Sequence, residues 1–327
     1  MKKTDKWLLE ALVLDGQGGA RHLDEEQLNK WNPEDGFLWV YLNLRQKEAI
    51  SWIEEKAHMD EWVSEILTDT QESQPRALFH KDALLFVLRT VNRRSRSEPD
   101  DMVFLRLLAT KDWLITVRMD PVLSINEILR SFREQDGPTD VSTLLEVIFD
   151  NVFGSINQAL TGLGDSLDDI EEKILANKEN DKDFEELSEL QRQLVVIRRY
   201  LAPCRDAFDT LTHRRAPWFT ESTEHIAGEG YHRIKRIMED IDMLRERARI
   251  NQEALQAKDL KRSQMNAYML SAVATLFLPL SFLTGLFGMN VGGIPLAASE
   301  YGLAIVTGGI FLVGLLLLGV FKKIKWL

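Results

Sequence analysis

The chain carries two different hydrophobic patterns, and one replaces the other near Gly137 and Pro138. Before that point, short apolar runs with β-like composition alternate with polar segments of helical spacing, such as residues 25–31 and 61–69. This alternation predicts a sheet covered by helices. The predicted strands are residues 7–15, 37–44, 83–91, 103–110 and 112–119. We therefore expect an N-terminal α/β domain over residues 1–138.

Beyond residue 138 the pattern is helical. Breaks near residues 177–183 and at Pro217-Trp218 predict a helical pair over residues 139–216. Residues 231–284 contain no glycine and only one proline, Pro279, which favours a single helix about 80 Å long. An apolar stripe with spacings of three and four runs along it, and one amide shares the stripe. Its members are Ile234, Ile237, Ile241, Leu244, Ala248, Asn251 and Leu255. A helix of this length needs packing partners in water.

The C-terminal part contains two long apolar runs. Residues 267–287 carry no charge and would span about 31 Å as a helix, which is enough to cross a bilayer. Residues 303–321 form a second run of similar length. A buried core hairpin is the alternative, and it is disfavoured because core helices rarely keep so long a charge-free run. The predicted class is thus α+β. Its segments are the α/β domain (1–138), the helical pair (139–216), a stalk helix continuing into the first transmembrane helix (217–290), a loop (291–302), and the second transmembrane helix with a basic tail (303–327).

Charge is placed unevenly and predicts the orientation. The chain has a net charge of −11, yet Glu300 is the only acidic residue after Arg262. Basic residues flank the two spans on one side: Lys258, Lys261, Arg262, Lys322, Lys323 and Lys325. By the positive-inside rule both termini are cytoplasmic and the loop faces outward. The N-terminus lacks the pattern of a signal peptide, and the lone Cys204 agrees with a reducing compartment for the large domain.

The first span has one small, partly hydroxylic helical face and one bulky face. The small face consists of Ala267, Ser271, Ala274, Leu278, Ser281 and Gly285. The bulky face includes Met269, Val273, Leu276, Leu280, Leu283 and Phe287. Small residues favour close helix packing in membranes, and the same face could line a pore in an oligomer. Periodicity alone leaves these two interpretations equally open.

The stretch FLPLSFLTGLFGMN, followed by a short loop, a second span and KKIKWL, resembles the CorA superfamily of divalent-cation channels and transporters. The signature of that superfamily is Gly-Met-Asn, here Gly288, Met289 and Asn290. The segments RRYLAPCRD (198–206) and APWF (216–219), together with one loop motif, resemble the ZntB branch of zinc transporters. That loop motif is Gly292, Gly293, Ile294 and Pro295. As a single segment, RRYLAPCRD could also serve only helix packing.

The resemblance implies a homopentamer in the bacterial inner membrane, with zinc or another divalent cation as the transported substrate and no cofactor. Gly288, Met289 and Asn290 would form the pore entrance, because Gly288 lets the chain leave the helix and Asn290 offers a carbonyl to a hydrated cation. Glu300 would belong to the external loop. The alternatives are a magnesium, cobalt or nickel channel, and a membrane-tethered sensor that conducts nothing.

Other candidate sites are weaker. His225, Glu229 and His232 share a helix face with ligand types that suit zinc, although exposed histidines are common. The acidic segment 165–172 is better explained as a solvated face than as a metal site. The chain has neither a phosphate-binding loop nor an H-E-x-x-H motif, so we expect no enzyme activity. The expected partners are divalent metal ions, membrane lipids and further copies of the chain, and not nucleic acid.

Overall fold

The computed structural model describes residues 6–56, 60–69, 74–92, 98–122, 125–289, 295 and 301–323. The chain divides into two compact units, Met1–Gln252 and Glu253–Leu327, called here the N-terminal unit and the C-terminal unit.

A seven-stranded mixed sheet lies in the N-terminal unit. Its strands are β1 (Leu8–Leu14), β2 (Ala20–His22), β3 (Leu38–Asn43), β4 (Arg76–His80), β5 (Ala83–Val91), β6 (Met102–Ala109) and β7 (Trp113–Arg118). The strand order is β2-β1-β3-β7-β6-β5-β4, with β3 and β7 parallel and the other neighbours antiparallel. All five predicted strands are present. Sequence analysis missed β2 and β4 because runs of three and five residues are too short for a periodic signal.

Helices cover both faces of this sheet. One hydrophobic cluster joins the sheet to α1 (Glu25–Leu28), α2 (Lys47–Lys56) and α3 (Glu61–Thr68), and it contains Val40, Leu42, Ile53, Leu67 and Val117. α4 (Ile125–Arg133) follows β7, and the longer helices α5 (Val141–Leu175) and α6 (Asp181–His213) come next. The opposite face of β5 meets α5 and α6 in an aromatic cluster, where the Phe86 ring lies 5.6 Å from Phe149 and 5.0 Å from Phe208. Leu85 belongs to the first cluster and Phe86 to the second, as expected for successive residues of a strand.

The helices begin and end where capping residues allow it. Asp140 caps α5 by accepting a hydrogen bond from the Thr143 backbone N–H, and Asn180 caps α6 through the N–H of Lys182. Their connection falls at the break predicted for residues 177–183. α7 (Glu221–Phe287) is one helix of 67 residues, and α8 is Gly302–Lys323. These elements confirm the predicted α+β class with a long helix and two C-terminal apolar helices, whereas the residue ranges proposed for separate domains stay predictions.

α7 begins earlier than the glycine-free segment suggested. It includes Gly228 and Gly230, although glycine lowers helix stability relative to alanine. A Cβ at Gly230 would lie 2.4 Å from the Phe208 ring, so the absent side chain lets α7 approach α6 closely. The close packing offsets the lower helix propensity of glycine relative to alanine.

The predicted apolar stripe of α7 is buried along its whole length. Exposure of its seven residues ranges from 0% at Ile241 to 8% at Asn251. Leu244 lies 3.7 Å from the Cβ position of Gly164 on α5, and the Asn251 amide donates to Glu171 Oε1 at 2.8 Å. The stripe is therefore a helix-packing surface, as predicted.

Candidate ion-conduction site

Two helices, α7 and α8, are long and apolar enough to cross a membrane, and the apolar segments of both lie in the C-terminal unit. In the apolar segment of α7 the partly covered side chains form one stripe. They are Ala272, Leu276, Pro279, Leu280 and Leu283. On α8 the covered residues form a matching stripe of Gly302, Val306, Ile310, Val313, Gly314, Leu317 and Phe321. The two stripes meet where a Cβ at Gly314 would lie 3.8 Å from Leu280 Cδ1, so α7 and α8 pack against each other along them.

The predicted small face of α7 points away from α8. All six of its residues are exposed in the single chain, and Leu278 is 73% exposed. At about 100° per residue, the mean direction of this face differs from that of the covered stripe by about 160°. α8 therefore cannot be what the small face packs against, and this face is left for water, lipid or another copy of the chain.

α7 ends at the beginning of the Gly-Met-Asn motif. Gly288 follows the last helical residue, and its backbone N–H donates to Thr284 O at 2.9 Å. A Cβ at Gly288 would lie 2.9 Å from that same carbonyl oxygen, so glycine permits this tight helix exit. Met289 is 48% exposed, and Pro295 lies in a turn. The other predicted mouth and loop residues, Asn290, Gly292, Gly293, Ile294 and Glu300, lie outside the described residues.

The suggested metal-binding histidines are only partly brought together. His225 Nε2 lies 3.9 Å from Glu229 Oε2, whereas the His232 ring packs beside Tyr231 at 5.8 Å between centroids. Across the ranges that the structure describes, no group of three or more His, Cys, Asp or Glu side chains is placed to hold a metal ion. His225 and Glu229 instead line a cavity of about 260 Å³. Its other charged residues are Glu146, Asp150 and Arg233. The metal site suggested for His225, Glu229 and His232 stays a prediction, and no signal in the sequence could have joined α5 residues to this cavity.

An ion-pair cluster missed by sequence analysis ties α7 to α5. Arg247 Nη2 lies 2.6 Å from Asp168 Oδ1 and 2.5 Å from Glu171 Oε2. The hydrogen bond from Arg247 lowers the pKa of Glu171 below its ordinary value, against the opposing effect of burial. Asp168 belongs to the acidic segment 165–172, so part of that segment pairs with α7 and is not simply solvated.

The segment RRYLAPCRD performs helix packing on α6. The Tyr200 ring stacks on the Arg89 guanidinium at 3.9 Å, and Arg198 Nε donates to Asp242 of α7 at 2.6 Å. The Arg89 backbone N–H donates to Cys204 Sγ at 3.4 Å. Burial raises the pKa of the Cys204 thiol to about 12, so this cysteine is a core residue and not a reactive one.

The chain combines a mixed sheet covered by helices with two C-terminal helices that are long and apolar enough to cross a membrane. A family described as "CorA-like Mg2+ transporter protein" matches residues 34–323. The chain therefore belongs to the CorA-like family. It is a divalent-cation transporter of that type and not an enzyme.

Similar proteins agree with this assignment. The chain is 31% identical over 334 aligned positions to the divalent cation transporter CmaX of Pseudomonas aeruginosa, covering 99% of this chain and 98% of that protein. It is 30% identical over 286 positions to the zinc transport protein ZntB of Klebsiella pneumoniae, covering 87% of this chain and 85% of that one. The full-length CmaX structure superposes with a TM-score of 0.83 at 30% identity, covering 98% of each chain.

Proposed function

We propose that the chain carries zinc across the bacterial inner membrane through a central pore formed by five copies, with both termini in the cytoplasm. The small face of α7 lines this pore, and Gly288, Met289 and Asn290 form its outer mouth. The observation that carries the proposal is the direction of the small face, which is exposed and lies opposite the α8-covered stripe. One helix cannot enclose a water path, so a pore along this face requires several copies.

Zinc is favoured as the substrate by two observations. The relative from Klebsiella pneumoniae is named a zinc transport protein, and the residues Gly292, Gly293, Ile294 and Pro295 resemble the loop of that branch. The CmaX relative is named only for divalent cations, which keeps magnesium, cobalt and nickel as the alternative. Zinc, magnesium, cobalt and nickel uptake should be compared in liposomes containing only this protein. A protein that assembles but passes none of the four would instead be a membrane-tethered sensor.

Residues on two faces of α7 provide a matched test of the pore. Ser281→Leu adds bulk on the small face and should reduce zinc uptake by roughly tenfold or more, since a narrow pore tolerates little obstruction. Thr284→Leu adds bulk three residues away but about 100° away from the centre of the small face. Its uptake should stay near that of the parent protein. Equal losses in both variants, with normal assembly in both, would contradict the assignment of this face to the pore.

The outer mouth is tested by Asn290→Ala. Removal of the amide should reduce zinc uptake severely while the oligomer stays intact, because its carbonyl oxygen is the proposed ligand of the hydrated cation. Size-exclusion chromatography with light scattering checks assembly, and fluorescence of a zinc-sensitive dye inside liposomes measures uptake. Uptake at the parental rate would remove Asn290 from the proposed mouth.

Proton coupling, where it exists, should depend on Glu300 or on groups of the N-terminal unit, since the predicted spans contain no ionisable Asp, Glu, Lys, Arg or His. Zinc uptake would be measured with and without a pH gradient for the parent and for Glu300→Gln. Loss of the gradient effect in Glu300→Gln supports the loop carboxylate as the coupling group. An equal gradient effect in both proteins moves the proton relay to the N-terminal unit.

A further inference from the structure

Four exposed cations flank the apolar stretches of α7 and α8. Lys261 and Arg262 precede the first stretch within α7, and Lys322 and Lys323 follow the second at the end of α8. Within the described part of the chain, no ion pair involves any of the four. In the N-terminal unit, by contrast, Arg192, Arg198 and Arg247 each pair with a carboxylate. The positive charge of these side chains is therefore available to an anionic partner outside the described chain.

The packing of α7 on α8 divides these cations into two levels. Because the helices are antiparallel and Gly314 lies beside Leu280, the last covered residue of α8, Phe321, lies level with about residue 273 of α7. The burial pattern agrees independently, because residues 261–271 of α7 are all exposed and Ala272 is the first partly covered residue after them. Lys322 and Lys323 thus stand just beyond the paired segment. Lys261 and Arg262 lie about ten residues further along α7, or about 15 Å farther from it.

The length of α8 determines which level meets the membrane surface. Gly302 to Phe321 spans about 30 Å as a helix, which matches the hydrocarbon thickness of a bilayer. The residues that follow Phe321 directly therefore stand at the lipid headgroups. A distance of 15 Å exceeds the Debye length of about 8 Å at physiological ionic strength, so Lys261 and Arg262 feel the headgroup charge only weakly.

We propose that Lys322 and Lys323 bind the phosphates of acidic phospholipids, and that Lys261 and Arg262 do not. Lys322 and Lys323 are consecutive and exposed, so their two ammonium groups can pair with the negatively charged phosphates of acidic lipids at the membrane surface. Each lysine held at the surface should favour acidic over zwitterionic lipid by about fivefold. The C-terminal unit would then depend on the lipid composition around α8.

The test uses the full-length protein reconstituted in vesicles of equimolar phosphatidylcholine and phosphatidylglycerol. After mild detergent extraction, mass spectrometry measures the ratio of the two lipids that the protein retains. The parent should retain phosphatidylglycerol in excess, and K322Q/K323Q should lower that excess by about fivefold for each lysine removed. K261Q/R262Q removes the same charge from α7 and should retain the parental excess.

Two further arms make the result decisive. K322R/K323R keeps the charge and should keep the enrichment, and a wash in concentrated salt should reduce the enrichment in every protein that shows it. Equal enrichment in the parent and in K322Q/K323Q would overturn the proposal, as would an equal loss in both glutamine double variants. The inference rests on insertion of α7 and α8 in a membrane, but its readout does not involve ion uptake. A failed zinc assay with intact lipid enrichment would therefore count against the proposed function alone.

Discussion

The N-terminal and C-terminal units keep their side chains in opposite environments. In the N-terminal unit, large side chains such as Trp39 and Phe86 are fully buried, and surface arginines pair with carboxylates of the same chain. In the C-terminal unit, Leu278, Leu303 and Phe311 are 69–83% exposed. The first unit contains its own core, whereas the second presents apolar surface outward. The difference is expected if water surrounds the N-terminal unit and lipid surrounds the C-terminal unit, since lipid tails are as apolar as the side chains that face them.

The contrast indicates where the stability of each unit originates. Burial of apolar side chains stabilises the N-terminal unit in water. The contacts between its helices depend on particular side chains, as where Gly230 packs against Phe208. In the described part of the C-terminal unit, most large apolar side chains are exposed, so internal burial contributes less to its stability. A substitution at a buried contact of the N-terminal unit should therefore lower the free energy of unfolding strongly, whereas a substitution at an exposed neighbouring residue should change it little.

The largest effect is expected at the buried stripe of α7. Ile241→Asp places a carboxylate at a position with 0% exposure and should lower the free energy of unfolding by about 4 kcal/mol or prevent assembly. Met243→Asp, two residues away at 55% exposure, should change it by less than about 0.5 kcal/mol. Thermal unfolding of the purified protein measures both. Similar losses of unfolding free energy at Ile241 and Met243 would contradict the view that burial within one chain determines the effect of substitutions on α7.

A smaller effect is expected from two glycines of the same helix. Gly230→Ala forces a methyl group against the Phe208 ring and should cost about 1–3 kcal/mol. At Gly228 no atom lies within 4 Å of the added Cβ, so Gly228→Ala should stabilise the helix by about 0.5–1 kcal/mol. Urea unfolding curves should move in opposite directions for the two variants. A shift in the same direction would show that helix propensity, and not the contact with Phe208, dominates at residue 230.

The smallest effect is expected at the ion-pair cluster between α5 and α7. Arg247→Ala should lower stability by on the order of 1 kcal/mol at neutral pH, since the partners are partly exposed to solvent. Arg247 lowers the pKa of Glu171, so the contribution is complete above the ordinary glutamate pKa of about 4.3 and is lost as the pH falls through the lower pKa of the folded state.

The matched control for this cluster is Arg249→Ala, which removes an exposed pair with Glu246 on the same helix. Unfolding free energies measured from pH 7 to below pH 4 should show a shallower acid-side decrease in Arg247→Ala than in the parent. Arg249 also lowers the pKa of Glu246, but solvent screens that exposed pair, so Arg249→Ala should change the acid-side decrease less than Arg247→Ala does. An unchanged pH profile in Arg247→Ala would contradict the claim that this ion-pair cluster stabilises the packing of α7 on α5.

Local patterns were sufficient for much of the architecture. The five longer strands, the two helix breaks and the buried stripe of α7 follow from periodicity and turn residues, which act within a few neighbouring positions. The two apolar spans follow from the long absence of charge. The candidate mouth could be located from the Gly-Met-Asn motif, but periodicity could not decide whether the small face of α7 packs against a helix or lines a pore.

What the sequence by itself determined is the longer elements and their apolar faces, because both depend on residues close together along the chain. The tertiary structure alone decided which distant residues meet. Only packing against Phe208 explains a glycine at residue 230 inside a helix, and only the fold pairs Arg247 with carboxylates more than seventy positions away. The direction of the small face relative to α8, and the two levels of basic residues, likewise depend on the register between two helices. Each of these is a relation between surfaces, and no single helix or strand contains the information that sets it.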